Sequence, residues 1–356
     1  MSTRILIFGA SYGSLLATKL ALAGHHVDLL CLPAEADIIN SEGTIVHLPV
    51  RTENGPDQVE IRSRTLKGEI AAITPENCDP RAYDLLGLAM QEPQYGHPAI
   101  RDLLDTAAKG RKPCMSIMNM PPLPYLARIP GLEVGKLRHC FTKPEVWDSF
   151  DPAYLTLCSP DPQAFRPPER KPNVLQVTLP TNFKAARFES NDLTAMLRGI
   201  GESVDAIRYL HTGKEIELPV KLKVHDSIFI PLAKWAMLLT GNYRCVQRDG
   251  TRSIRDAVFA DVGQSRSVYE WVQKVCIAVG AASEDMVPFE KYARAAEGLT
   301  KPSSAARALF AGAPSIERVD LLVQGIAAQV GLKNTLVDET VDLVSSRLEL
   351  NAHKAA

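Results

Sequence analysis

The chain opens on a short apolar run, Arg4 to Phe8 (RILIF), which suits a buried strand and is too short for a stable helix. Gly9, Ser11 and Gly13 then supply a turn. Apolar residues recur at helical spacing from Ser14 to Ala23, which predicts an amphipathic helix that Gly24 ends. A second apolar run, Val27 to Leu32, reads as another buried strand. Strand, glycine turn, helix and strand in this order form a βαβ unit, with parallel strands and a right-handed crossover. Further on, Gly43 to Val50 and Asp57 to Ser63 read as strands that pair. Tyr83 to Met90 reads as a buried strand, Pro98 to Ala108 as a helix and Cys114 to Met118 as a strand. Strands alternating with helices predict an α/β fold with a Rossmann-type, doubly wound parallel sheet in the N-terminal part.

Residues 140–175 are rich in proline and aspartate and read as a loop excursion, with strand character returning at Val174 to Thr178. From Pro219 the pattern is helical to the end, most plainly over Val224 to Gly241, Ser265 to Val279, Ile316 to Val330 and Val337 to Leu350. The expected division is a dinucleotide-binding domain over 1–212 and an all-helical substrate and dimerisation domain over 213–356. No internal repeat stands out.

Composition narrows the function. The 356 residues suit two domains of ordinary size, and 46% hydrophobic with 23% charged residues is a globular mixture. A formal net charge of -1 gives no positive field for nucleic acid or acidic lipid, so neither is an expected partner. The seven cysteines are scattered and never form C-x-x-C, which points to reduced thiols in a reducing, cytoplasmic setting. No Cys or His cluster has ligand spacing, so no metal site is expected. No secretory leader is expected either, because Gly9 to Gly13 interrupts the first apolar run.

The glycine turn carries the first chemistry. A diphosphate is held by bare N–H groups at a helix N-terminus, and glycines permit the tight turn and close approach. The segment Gly9-Ala10-Ser11-Tyr12-Gly13-Ser14 departs from G-x-G-x-x-G. Ser11 takes the second glycine's place, and the third glycine comes one residue early. Gly9, Ser11, Tyr12, Gly13 and Ser14 are the candidate cofactor contacts, with NADP or NAD as the cofactor. After the second strand no residue is a clear coenzyme selector. Glu35 is placed either to meet the ribose or to stand as a solvated loop acid.

The second chemical signal is a single lysine. In IFIPLAKWAMLL, Ile228 to Leu239, Lys234 is the one charged residue of an otherwise apolar helix. An ammonium there pairs, snorkels, or lowers its pKa. Such a lysine suits a general acid that protonates a carbonyl oxygen as hydride reaches the carbon. Asn242, near the helix end, is placed to join the same cleft.

At these residues the chain resembles the ketopantoate reductase family. RILIFGASYGSLLATKLALAGHHVDLL is similar to the family's first βαβ unit, SIMNMPPLPYL to its strand ending in an asparagine, and LAKWAMLLTGN to the helix bearing its catalytic lysine. PSIERVDLLVQGIAAQVGL resembles the stretch with the family's acid, and KPSSAA its substrate-binding serine pair. The resemblance implies the two-domain plan of 6-phosphogluconate dehydrogenase, a nicotinamide cofactor, a small 2-oxo acid or related carbonyl as substrate, and a homodimer. It implies Lys234 as general acid, Glu317 as substrate-orienting carboxylate and Asn119 beside nicotinamide and substrate. Asn242, Ser303 and Ser304 become substrate contacts, and Gln91 faces the cofactor where the family has lysine.

Plainer roles exist: Asn119 capping a turn, Glu317 in a helix first turn, Ser303 as a helix N-cap. Other departures are Leu32 for a basic residue, Leu238 for the first of two asparagines, and Ser315 in the acid's place unless the alignment slips. Two alternatives stay open. One is different chemistry on the same plan, of the opine dehydrogenase or ketol-acid reductoisomerase kind; the latter would draw metal-binding acids from Glu317 with Asp320 or Asp338 with Asp342. The other is a non-catalytic dinucleotide sensor.

Overall fold

The computed structural model of the chain describes residues 2–53 and 55–355. They form two compact units. The first takes the residues up to Met90, then His97–Met118 and Val146–Asp226; the second takes Gln91–Gly96, Asn119–Glu145 and the chain from Ser227 onward. The division therefore falls at Asp226 rather than near residue 212, because the strands after that point extend the first unit.

The first unit begins with β1 (Arg4–Phe8), α1 (Ala10–Leu22), β2 (His26–Leu30) and α2 (Pro33–Glu42). The hairpin β3 (Ile45–Thr52) and β4 (Gly55–Arg62) follows, then β5 (Glu69–Ile73), β6 (Leu85–Leu88), α3 (Pro98–Lys109) and β7 (Cys114–Ile117). After α4 (Leu123–Leu126), which lies in the second unit, come β8 (Leu155–Ser159), β9 (Gln163–Phe165), β10 (Val174–Leu179), β11 (Phe183–Ala186) and α5 (Asn191–Asp205). The hairpin β12 (Arg208–His211) and β13 (Lys214–Glu217) precedes β14 (Leu222–His225).

The main sheet runs β14-β11-β8-β7-β6-β1-β2-β5. Only β8 and β11 pair antiparallel in it. Strand order reverses between β1 and β6, so the crevice beyond their carboxyl ends is where such a sheet binds its ligand. β8 lies inside the stretch that reads as loop, and β14 begins where the pattern reads as helix.

A second sheet, β4-β3-β10-β9, packs on α1. Its apolar side chains Val46, Leu48, Val59, Ile61, Leu175 and Val177 share one core with Leu15, Leu16 and Leu20 of α1. Consequently α1 is buried all round from Gly13 to Ala21, and is not the amphipathic surface helix of the sequence pattern. Lys19 is enclosed with it at 1% exposure. Its ammonium donates to the carbonyls of Pro219 (3.0 Å) and Leu218 (3.4 Å), and burial lowers its pKa to about 7.

The second unit is helical. A helical stretch from Ile230 to Cys245 contains α6 (Lys234–Met237). The later helices are α7 (Ile254–Phe259), α8 (Val262–Ala278), α9 (Phe289–Ala296), α10 (Ser304–Phe310), α11 (Val319–Gln329) and α12 (Thr335–Ala355). Their core includes Trp235, Val268, Val272, Leu322, Val323 and Ile326. Among the described residues, no helix is long and apolar enough to cross a membrane. All seven cysteines are free thiols.

Candidate active site

The turn after β1 is built for close approach. Gly9 has φ 99° and donates its N–H to the Leu30 carbonyl at 2.9 Å. A side chain there would meet Met90 at 2.8 Å and the Ala89 carbonyl at 3.1 Å, in a backbone region that L residues rarely adopt. A Cβ on Gly13 would stand 2.6 Å from Ile7, so only glycine lets α1 lie this close on β1. The helix starts directly at Ala10, and no side chain caps it. The N–H groups of its first turn lack intrahelical acceptors and point outward with the positive end of the dipole. Exposed Ser11 adds a hydroxyl at the same place. These features fit a dinucleotide diphosphate.

Two of the expected contacts are committed within the protein. The half-buried Tyr12 donates its hydroxyl to the Pro162 carbonyl at 2.7 Å, and its ring packs edge-on against Phe183. Ser14 is buried and bonds back to the Ala10 carbonyl. Gln91 lies in the second unit, exposed, where its N–H meets the Gln94 side chain at 2.9 Å.

In the second unit the lysine, the acid and the amide come together. The stretch around Lys234 changes register: a 3₁₀ turn over Ile230–Ala233, α6, then a π turn over Leu238–Asn242. Single π turns of this kind recur at functional sites. The Tyr292 hydroxyl donates to the Met237 carbonyl at 3.1 Å where the register changes, and Gly241 leaves room for it.

Lys234 is half-buried and lies within electrostatic reach of Glu317. Glu317 sits two residues before α11, not inside a helix, and its Oε2 accepts from Asn119 Nδ2 at 3.3 Å. Burial lifts its carboxyl to about 7. The Asn119 amide and the Glu92 N–H favour the charged form, Glu92's carboxylate opposes it, and Lys234 favours it. Trp235 Nε1 fixes the Asn119 carbonyl at 3.2 Å, while Asn119 Oδ1 is buried with no partner in the structure. Tyr243 is a buried brace: its hydroxyl donates to the Glu317 carbonyl at 2.5 Å and accepts from the Val319 N–H at 3.0 Å.

Glu92 has no counterpart in the sequence reading. It is 2% exposed, and both its oxygens accept from Thr142, at 3.0 Å from the N–H and 2.9 Å from the hydroxyl. Burial raises its carboxyl. A glutamate in a short turn reads as solvated, so nothing local marks it.

The other expected substrate contacts have structural duties or open surroundings. Ser303 is the α10 N-cap, accepting from the Ala306 N–H at 3.1 Å, and donates its own proton to the Asn242 carbonyl at 2.7 Å. Asn242 is half-buried, and Ser304 is exposed. Asp320 is fully buried in a bidentate ion pair with Arg318, and Asp338 accepts from Gln324 at 2.6 Å. Among the described residues no group of three or more His, Cys, Asp or Glu is placed to hold a metal.

No family profile and no curated protein sequence matches the chain. Solved structures do. A protein described as a ketopantoate reductase from Ralstonia solanacearum matches with a TM-score of 0.64 at 17% identity, over 99% of both chains. D-mandelate dehydrogenase, in a ternary structure with NADH and anilino(oxo)acetate, matches with a TM-score of 0.62 at 13% identity, over 98% of this chain and 99% of the other. The 2-dehydropantoate 2-reductase from Methylococcus capsulatus gives 0.61 at 13% identity, over 98% and 97%. The chain has the ketopantoate reductase fold, as the sequence resemblance implied.

Proposed function

We propose that the protein is a nicotinamide-dependent oxidoreductase that reduces a small 2-oxo acid, or a related carbonyl, to the hydroxy compound. The uncapped N-terminus of α1 and Gly9 would hold the diphosphate of NADP or NAD, which supplies hydride when bound. The fold shared with reductases and dehydrogenases of such substrates supports the reading. One observation carries it. An ammonium, a carboxyl with a pKa near 7 and an amide whose Oδ1 lacks a partner converge in the second unit.

A buried amide oxygen without a partner implies a ligand that completes it. Lys234 would donate its proton to the carbonyl oxygen as the carbon accepts hydride, then regain one from solvent. Glu317 and the free Asn119 oxygen would orient substrate hydroxyl or amide donors. Ser303 would act one step back, by holding the Asn242 backbone.

Steady-state kinetics at 340 nm, with NADH and NADPH against a panel of 2-oxo acids, tests this. Lys234→Ala should lower kcat roughly 10²–10⁴-fold, the usual worth of a general acid, with coenzyme affinity little changed. Full turnover by that variant would remove Lys234 from the chemistry. Activity with no carbonyl in the panel, alongside intact coenzyme binding, would favour a dinucleotide sensor.

A further inference from the structure

The end of β2 carries a charged pair that the sequence keeps far apart. Beyond Leu30 the chain reads Cys31-Leu32-Pro33-Ala34-Glu35, with no basic residue of its own. In a sheet of this type the adenosine ribose lies there: an acid takes its 2′-hydroxyl, or an arginine its 2′-phosphate. Glu35 stands in the first turn of α2. Arg166, directly after β9 of the second sheet, donates from a terminal nitrogen to Glu35 Oε1. Both side chains are mostly enclosed, 18% exposed for Glu35 and 24% for Arg166. Both act on the thiol of Cys31, the residue that follows β2; burial and Glu35 push it up to about 12, against Arg166. Leu32 stands 73% exposed beside them, an apolar surface on which an adenine ring can rest.

We propose that Glu35, braced by Arg166, accepts the 2′-hydroxyl of the coenzyme's adenosine ribose and makes the protein select NAD(H) over NADP(H). This rests on the dinucleotide reading above. The ion pair engages Oε1, so a ribose hydroxyl can donate to Oε2 with the pair intact. A 2′-phosphate would set further negative charge against that carboxylate. The Arg166 guanidinium is already neutralised, and recruiting it would strand a mostly buried Glu35. The second sheet thereby has a part in coenzyme choice, since β9 delivers the brace.

Titration of the full chain with NADH and NADPH, followed by nicotinamide fluorescence, reads the preference directly. The wild type should bind NADH at least about tenfold more tightly than NADPH, the worth of a hydrogen bond to a charged acceptor. Glu35→Gln should reduce that ratio about tenfold. Arg166→Ala, checked for fold by circular dichroism, should weaken NADH several-fold and leave NADPH weak. Tighter binding of NADPH that Arg166→Ala abolishes, or a ratio that Glu35→Gln does not move, overturns the proposal and keeps the dinucleotide reading. Uptake of neither coenzyme removes that reading itself.

Discussion

Glu317 is the residue through which pH should act on the site. In the unfolded chain its carboxyl has the ordinary value of 4.5; folding raises it to about 7. Between those values the native state holds a proton that the unfolded state has released, so stability falls as pH rises through this window. Glu317→Gln removes the effect. Urea denaturation at pH 5 and pH 8 should show the variant gaining on the wild type by about 2 kcal/mol at the higher pH, the shift being discounted for partial exposure. A difference that stays constant with pH would contradict the assignment. The same variant should lose any limb near pH 7 in its rate profile. Lys234 was legible in the sequence because one charge in an apolar run needs a reason. Glu317 was legible only through resemblance, and its place before α11 was not. Glu92 was not legible, since its burial comes from Thr142, 50 residues away in the chain.

At the scale of elements, β1, α1 and β2 were readable because short apolar runs and glycines fix their limits. β5, β8, β9 and β11 to β14 were not, and β8 and β14 show why. β8 (LTLCS) is five residues long and lies inside a proline- and aspartate-rich stretch, so no period builds up. β14 (LKVH) alternates over only four residues and runs into a helical pattern. The full burial of α1 was hidden too, since the sheet that covers it is assembled from β3, β4, β9 and β10. That burial makes Gly13 sensitive. Gly13→Ala must push α1 off Ile7, from which the new carbon would stand 2.6 Å away. A loss of about 1–3 kcal/mol in urea unfolding is expected, with weaker coenzyme binding as the first turn shifts. Wild-type stability and affinity in that variant would show that the helix does not depend on this contact.

Across the whole molecule, sequence order and spatial order part company. The second unit draws Gln91–Gly96 and Asn119–Glu145 out of the N-terminal half. Asn119 and Glu92 thus meet Glu317 across about 200 residues of chain, a juxtaposition that no local pattern records. The division near residue 212 followed a change of period, whereas the fold follows the sheet to β14.

The most direct measurement is a crystal structure of the protein with a reduced pyridine coenzyme and oxamate, an unreactive 2-oxo acid analogue. The account predicts diphosphate oxygens on the N–H groups of Ala10 and Ser11, and Lys234 Nζ within about 3 Å of the analogue's carbonyl oxygen. Diphosphate bound elsewhere, or Lys234 turned away from the analogue into solvent, would contradict it.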